Sequence, residues 1–339
     1  MGGYDESALQ LAAVALNQVL KFHYNREITS PKQAPPKGLL FHYTTADGLK
    51  GIIEQNELWA TSAYFLNDSA EITYGYGLLK EVLDDWIAKN PRDEKSLSLG
   101  LARDLRKSFG EDLLNMDIIK PIYLACFCED DNLLSQWRTY GQSGGYSFGF
   151  KVPADAIGGS FKPEPNIYTA RWVKVDYDRN EQIKKCRTIL DSVLPNFDDP
   201  DTARAIAAVD SHPIVGYSGI RRVAADILLE EIVGFKNKAF DVEKEWRIVV
   251  RQRELVKQGT DDGGKTTTPV HFRTSNGMLV PYVKLIPTEP TERLPVACVR
   301  SGPTLDRTTT GMVVRMMLEK NGFSNVRVEG SDISVRFKP

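Results

Sequence analysis

Apolar residues recur at helical spacing through residues 5–24, where Leu9, Ala12, Ala13, Val14, Leu16, Val19 and Leu20 make one broad stripe. The proline-rich segment TSPKQAPPKG, residues 29–38, ends that helix, so residues 1–37 read as an appended helical arm and linker. A short apolar strand follows at 39–43. Thr44 or Thr45 then caps the helix ADGLKGIIEQ, whose Leu49, Ile52 and Ile53 share a face. The pattern predicts further helices at 69–89 and within 91–115, a short one in LLSQWRTYG, and a mostly helical insertion at about 179–235. It predicts strands in PIYLACFCE, GGYSFGFKV, ARWVKVDY (alternating like an edge strand), EKEWRIVVRQ and VHFRT. The close, VACVRSGP to VRVEGSDISVRF, reads as strand–helix–strand. The fold class is therefore α+β, with residues 38–339 as a single domain around the helical insertion.

Composition narrows the functional classes. Of 339 residues, 42% are hydrophobic and 26% charged, which suits a sizeable core. Lysine plus arginine is 43 against 45 acidic residues, so no global positive field advertises a nucleic acid, although a local patch remains open. The first ten residues lack the basic and apolar regions of an export signal, and no apolar run approaches the roughly 20 residues of a membrane span. Of the four cysteines (126, 128, 186 and 298), the pair in CFC points to one face of a strand. They read as structural thiols of a cytoplasmic protein rather than a zinc site.

GTDDGGKT, residues 259–266, satisfies the phosphate-loop pattern letter for letter. Its context does not fit. A phosphate loop opens a helix, whereas TTTPVHFRT begins a strand. The stretch reads as the tip of a β-hairpin.

Four polar clusters carry candidate chemistry. In FHYTT, His42, Tyr43 and Thr44 follow one another on an apolar strand, where a lone buried histidine is ordinarily bonded to a carbonyl. In AYFLNDSAE, Tyr64 precedes Asn67, itself a plausible helix cap. In LLSQWRTYGQSGG, Gln136 and Tyr140 share a helix face around Trp137, and Arg138 is free to hold a phosphate or carboxylate. In VEKEWRIVV, strand alternation puts Glu243, Glu245 and Arg247 on one face and Trp246, Ile248 and Val250 on the other. The plain alternative there is a solvent-facing ion pair on an edge strand.

HYTTADGLKGIIEQNELWAT, YFLNDSAE, CFCEDDNLLSQWRTYG and FDVEKEWRIVV, in this order and spacing, resemble the bacterial domain of unknown function 2971 family over roughly residues 38–339. The opening, a strand with histidine followed by a capped helix, also resembles ADP-ribosyltransferases. That resemblance implies a split or bent β-sheet core with surrounding helices and NAD as a substrate cofactor. It implies a catalytic role for Glu245, seconded by Glu243, with His42 on the NAD ribose and Tyr64 (or else Tyr140) stacking on nicotinamide. Tyr43, Thr44, Asn67, Gln136, Arg138, Tyr140 and Arg247 become cofactor-binding candidates. The expected function is NAD-dependent ADP-ribosyl transfer to a protein or nucleic acid acceptor, in a toxin or phage-defence setting. The alternatives are an NAD glycohydrolase, a non-catalytic nucleotide- or partner-binding module and, more weakly, a nuclease using Glu243, Glu245 and Asp68 as metal ligands. No resident metal and no membrane partner are expected, and the N-terminal helix is a candidate for self-association.

Overall fold

The computed structural model describes residues 5–29, 38–66, 69–90, 96–109, 121–140, 144–152, 161–164, 168–212, 216–252, 270–275, 277–289 and 292–333. The chain divides into two compact units.

One unit comprises residues 1–32, 68–121 and 176–238 and is helical. It holds α1 (Glu6–Thr29), α3 (Ser69–Lys89), α4 (Leu97–Ser108), α6 (Arg179–Val193), α7 (Pro200–Ala208) and α8 (Tyr217–Ile232). Helix α1, read as an appended arm, packs on α7. Its small Ala8, Ala12 and Ala15 are buried with Leu16 and let the two backbones approach, while Leu11 and Val14 stay exposed. Helix starts follow the capping rules: Asp178, Asp199 and Ser96 each accept a backbone N–H of the first turn they precede. Gln182, buried in α6, ties the unit internally. Its Nε2 donates to the carbonyls of Asp176 and Lys236, and its Oε1 accepts from Tyr74.

The other unit, residues 33–67, 122–175 and 239–339, contains the sheet. Its strands are β1 (Gly38–Thr45), β2 (Leu58–Ser62), β3 (Tyr123–Cys128), β4 (Gly145–Val152), β5 (Phe161–Glu164), β6 (Tyr168–Lys174), β7 (Glu245–Gln252), β8 (His271–Ser275), β9 (Met278–Pro287), β10 (Val296–Ser301) and β11 (Arg327–Gly330). Helices α2 (Ala46–Gln55), α5 (Leu134–Tyr140) and α9 (Arg307–Lys320) complete it. The protein is thus a mixed α/β chain with one large sheet. Every strand ladder is antiparallel except β10–β11, which α9 connects. Thr45, not Thr44, caps α2 by accepting the Gly48 N–H at 3.3 Å.

The order β11-β10-β4-β1-β3-β2-β9-β5 conceals a fork. One edge of β3 is taken wholly by β7, from Tyr123↔Val250 to Cys128↔Glu245. The opposite edge is shared. β1 meets it only at Phe41↔Cys128, and β2 only at Thr61↔Leu124 and Ser62↔Tyr123. Between those contacts β1 and β2 diverge. β1 runs on with β4, and β2 with β9.

One face of the sheet carries the main core. Leu40, Tyr123, Phe127, Phe148, Phe150, Trp172, Trp246, Ile248 and Val283 meet there with Leu49, Ile52 and Ile53 of α2 and Val314 and Leu318 of α9. The opposite face of β1 packs Tyr43 and Cys128 against Trp137 of α5.

The read strand in VEKEWRIVV begins later than its pattern suggests. Glu243 ends a 3-10 turn, and Lys244 takes φ +43°, so the chain turns before Glu245 opens β7. Glu243 therefore does not share the strand face of Glu245 and Arg247. β7 is an interior strand between β3 and β6, which removes the edge-strand reading of that ion pair. The residues matching the phosphate-loop pattern lie outside the described residues. The strands flanking them do not form a hairpin together, because β8 pairs with β9 and β7 with β3 and β6. The chain after that segment does continue as a strand.

Candidate functional site

The fork is where polar side chains collect. His42 lies on β1 just where that strand leaves β3, and its Nδ1 sits 2.9 Å from the Cys126 carbonyl oxygen. A carbonyl only accepts, so Nδ1 carries the proton and Nε2 keeps its lone pair. Burial, together with the positive charge of Arg273, depresses the His42 pKa, and the Cys126 bond opposes them only in part. The ring is therefore a neutral imidazole that pins the fork at its root.

Strand alternation decides which groups meet. Phe41, Cys128 and Glu245 form one row across β1, β3 and β7. His42, one residue on from Phe41, points to the other face, where its ring stands 5.7 Å from Phe127. The side chains of His42 and Glu245 are thus on opposite faces of the sheet. Glu245 shares its face with Cys126, Cys128 and Arg247. Arg247 grips it in a two-point bond, Nε to Oε1 at 2.8 Å and Nη2 to Oε2 at 3.1 Å. Both residues are almost wholly buried, at 4% and 2% exposure. Residues i and i+2 of a strand project side by side, which is why the pair forms within one strand.

The remaining candidates divide between struts and surface. The Tyr43 hydroxyl donates to the Asp130 carbonyl and accepts from the Leu133 N–H at 2.8 Å, while its ring meets Trp137 edge-on at 4.9 Å. Burial pushes its pKa well up, helped by the nearby Cys128, Asp130 and Asp131 and opposed by the Leu133 bond. Its hydroxyl is thus committed to the loop after β3 instead of facing a ligand. Thr44 packs against Gly48 of α2. Tyr64 is half-buried in the turn after β2. On α5, Gln136 and Tyr140 are half-buried and Arg138 is exposed. Tyr140 packs against the Tyr43–Trp137 cluster. Asn67 lies outside the described residues. Glu243 is buried at the end of its turn.

The motif CFCEDDN is itself a set of fastenings. Glu129 accepts from Trp246 Nε1 at 2.9 Å, Asp131 pairs with Arg300 at 2.8 Å, and Asn132 receives both Trp137 Nε1 and Ser331 Oγ. These bonds hold the loop after β3 to β7, β10, α5 and the stretch after β11.

The other wall of the fork carries residues that the sequence reading left unassigned. Thr61 of β2, Tyr282 of β9, and His271 and Arg273 of β8 share the Glu245 face through the registers Thr61↔Leu124, Thr61↔Tyr282 and His271↔Tyr282. Trp59, Tyr282 and His271 stack in turn, with ring centroids 4.4 and 5.4 Å apart. The available signal was the alternation in VHFRT, which puts His271 and Arg273 on one face. Among the described residues no group of three or more His, Cys, Asp or Glu stands together to hold a metal ion. No described helix is long and apolar enough to cross a membrane.

The model of the family described as Protein of unknown function (DUF2971) matches residues 136–248. The match supports the family resemblance over that span, which includes Gln136, Arg138, Tyr140, Glu243, Glu245 and Arg247 but neither His42 nor Tyr64. Comparison with curated proteins and with solved structures found no match.

Proposed function

We propose that this chain transfers ADP-ribose from NAD, that the fork between β1 and β2 is the cleft of an ADP-ribosyltransferase-like split sheet, and that Glu245 is its reacting carboxylate. The observation that carries the reading is the shared edge of β3. It opens a gap between β1 and β2, across β3 from the strand that holds Glu245, with a neutral histidine at its root. In this reading the bond from ribose C1′ to nicotinamide breaks, and nicotinamide leaves with the electron pair. The resulting oxocarbenium-like charge is stabilised by the Glu245 carboxylate. An acceptor nucleophile then bonds to C1′ and gives up its proton. Arg247 holds the carboxylate in place by its two-point bond, and in this reading the carboxylate also meets a ribose hydroxyl. His42 and Glu245, on opposite faces, serve different parts of an extended dinucleotide. His42 Nε2 accepts a hydroxyl proton at the fork's root.

The buried bidentate pair also favours a second reading, in which Glu245 is an electrostatic strut and the fork binds a nucleotide without turning it over. Labelled NAD separates the two. Wild type should release nicotinamide, and Glu245→Gln should lose about a hundredfold or more of that rate while retaining its fold. Label in a macromolecule marks transfer, and free ADP-ribose marks hydrolysis. Equal rates in both proteins, or none in either with cell extract added, would remove the transferase reading.

A further inference from the structure

Arg273 is a cation that the described residues leave without a carboxylate partner. Its register opposite Val280 puts it on the same face as His271 and Tyr282. Its Nη2 reaches Thr61 Oγ1 at a long 3.4 Å, and its Nε is buried with no hydrogen-bond partner. Its charge is felt on both sides. After burial, it is one of the influences lowering the His42 pKa. It also opposes, with Lys284, the upward push of burial and Glu57 on Tyr282. Arg273 thus belongs to the Tyr282 wall, two residues along β8 from His271.

A guanidinium stays charged at any working pH and offers five N–H donors in a flat fork. Burying part of it without an acceptor is unfavourable. An oxyanion supplies what is missing, because two parallel N–H groups match two of its oxygens. Thr61 Oγ1 accepts from Arg273 and so keeps its own proton to donate to the same anion. The stacked rings of Trp59, Tyr282 and His271 flank that position with a flat aromatic wall.

We propose that Arg273 and Thr61 form an anion site on the β2–β9–β8 wall of the fork that takes the phosphate of a nucleotide. The site rests on the NAD reading only for which nucleotide is the natural one. Titration calorimetry on the full chain with ADP, inorganic pyrophosphate and adenosine tests it. Wild type should bind ADP and pyrophosphate, each displacing the other, and adenosine should bind far more weakly. Arg273→Gln should weaken ADP by at least about tenfold. Thr61→Val should weaken it severalfold, and Lys320→Gln on α9 should match wild type. Should Arg273→Gln fail to fold, Thr61→Val carries the test, since it removes only a hydroxyl. Unchanged ADP affinity in Arg273→Gln or, failing that variant, in Thr61→Val, adenosine binding as well as ADP, or no binding of either phosphate by wild type would overturn the site. Pyrophosphate binding through Arg273 without NAD turnover would keep this site and remove the proposed reaction. NAD turnover with an unchanged KM in Arg273→Gln would do the reverse.

Discussion

His42 Nδ1 donates from β1 to the Cys126 carbonyl of β3 at 2.9 Å, its ring on the sheet face opposite Glu245. That bond fixes the imidazole as a neutral tautomer and closes the root of the place where β1 and β2 share one edge of β3.

The depressed pKa of His42 gives a pH dependence of known sign. The ring takes up a proton near 6.5 when unfolded, but only at lower pH when folded. Between those values the unfolded state binds more protons, so stability falls as pH drops below about 6.5. His42→Asn keeps an N–H donor and removes the titration. Urea unfolding at pH 7.5 and 5.5 should show a smaller loss of stability in the variant than in wild type.

Glu245 and Arg247 should prove strongly coupled. Breaking a buried ion pair by removing one partner is strongly destabilising, so Glu245→Ala should cost about 3–5 kcal/mol. Pairing it with Arg247→Met should restore much of that loss. Denaturant midpoints across the double-mutant cycle measure the coupling. Additive losses would mean that the pair does not hold in solution.

Tyr43 should behave as a strut. Tyr43→Phe strands the Leu133 N–H and the Asp130 carbonyl, and should cost about 1–3 kcal/mol of stability. Calorimetry should find its ADP affinity equal to that of wild type.

Gly149 sets the packing between β10 and β1. A Cβ there would stand 2.5 Å from Cys298 Sγ and 2.8 Å from Phe41 Cε1. Gly149→Ala should therefore lower stability by about 1–3 kcal/mol, read as a fall in the unfolding midpoint.

Much of the fold was legible because its signals are local. The start and buried face of α2 followed from a threonine cap and the spacing of Leu49, Ile52 and Ile53, and alternation in EWRIVV correctly sent Trp246, Ile248 and Val250 into the core. Other parts were hidden for physical reasons. Pro281 and Pro163 argue against strands, yet β9 and β5 contain them. Pro281 lies just past the end of the β2–β9 ladder, and β5 is an edge strand, so neither proline costs a needed bond there. The positive φ of Lys244, which removes Glu243 from the strand, has no signature in its residue type. The fork depends on which distant strands share β3, and that pairing placed Arg273 beside Thr61 and turned His42 away from Glu245. Tyr43 looked like a ligand contact because its fastening to Asp130 and Leu133 spans about ninety residues of sequence.

The central claim is that NAD occupies the fork. A crystal structure of the protein soaked with NAD tests it most directly. Ligand density should appear between β1 and β2, with its phosphates at Arg273 and Thr61 and a ribose hydroxyl at Glu245. An empty fork at saturating NAD, or density elsewhere on the chain, would contradict it.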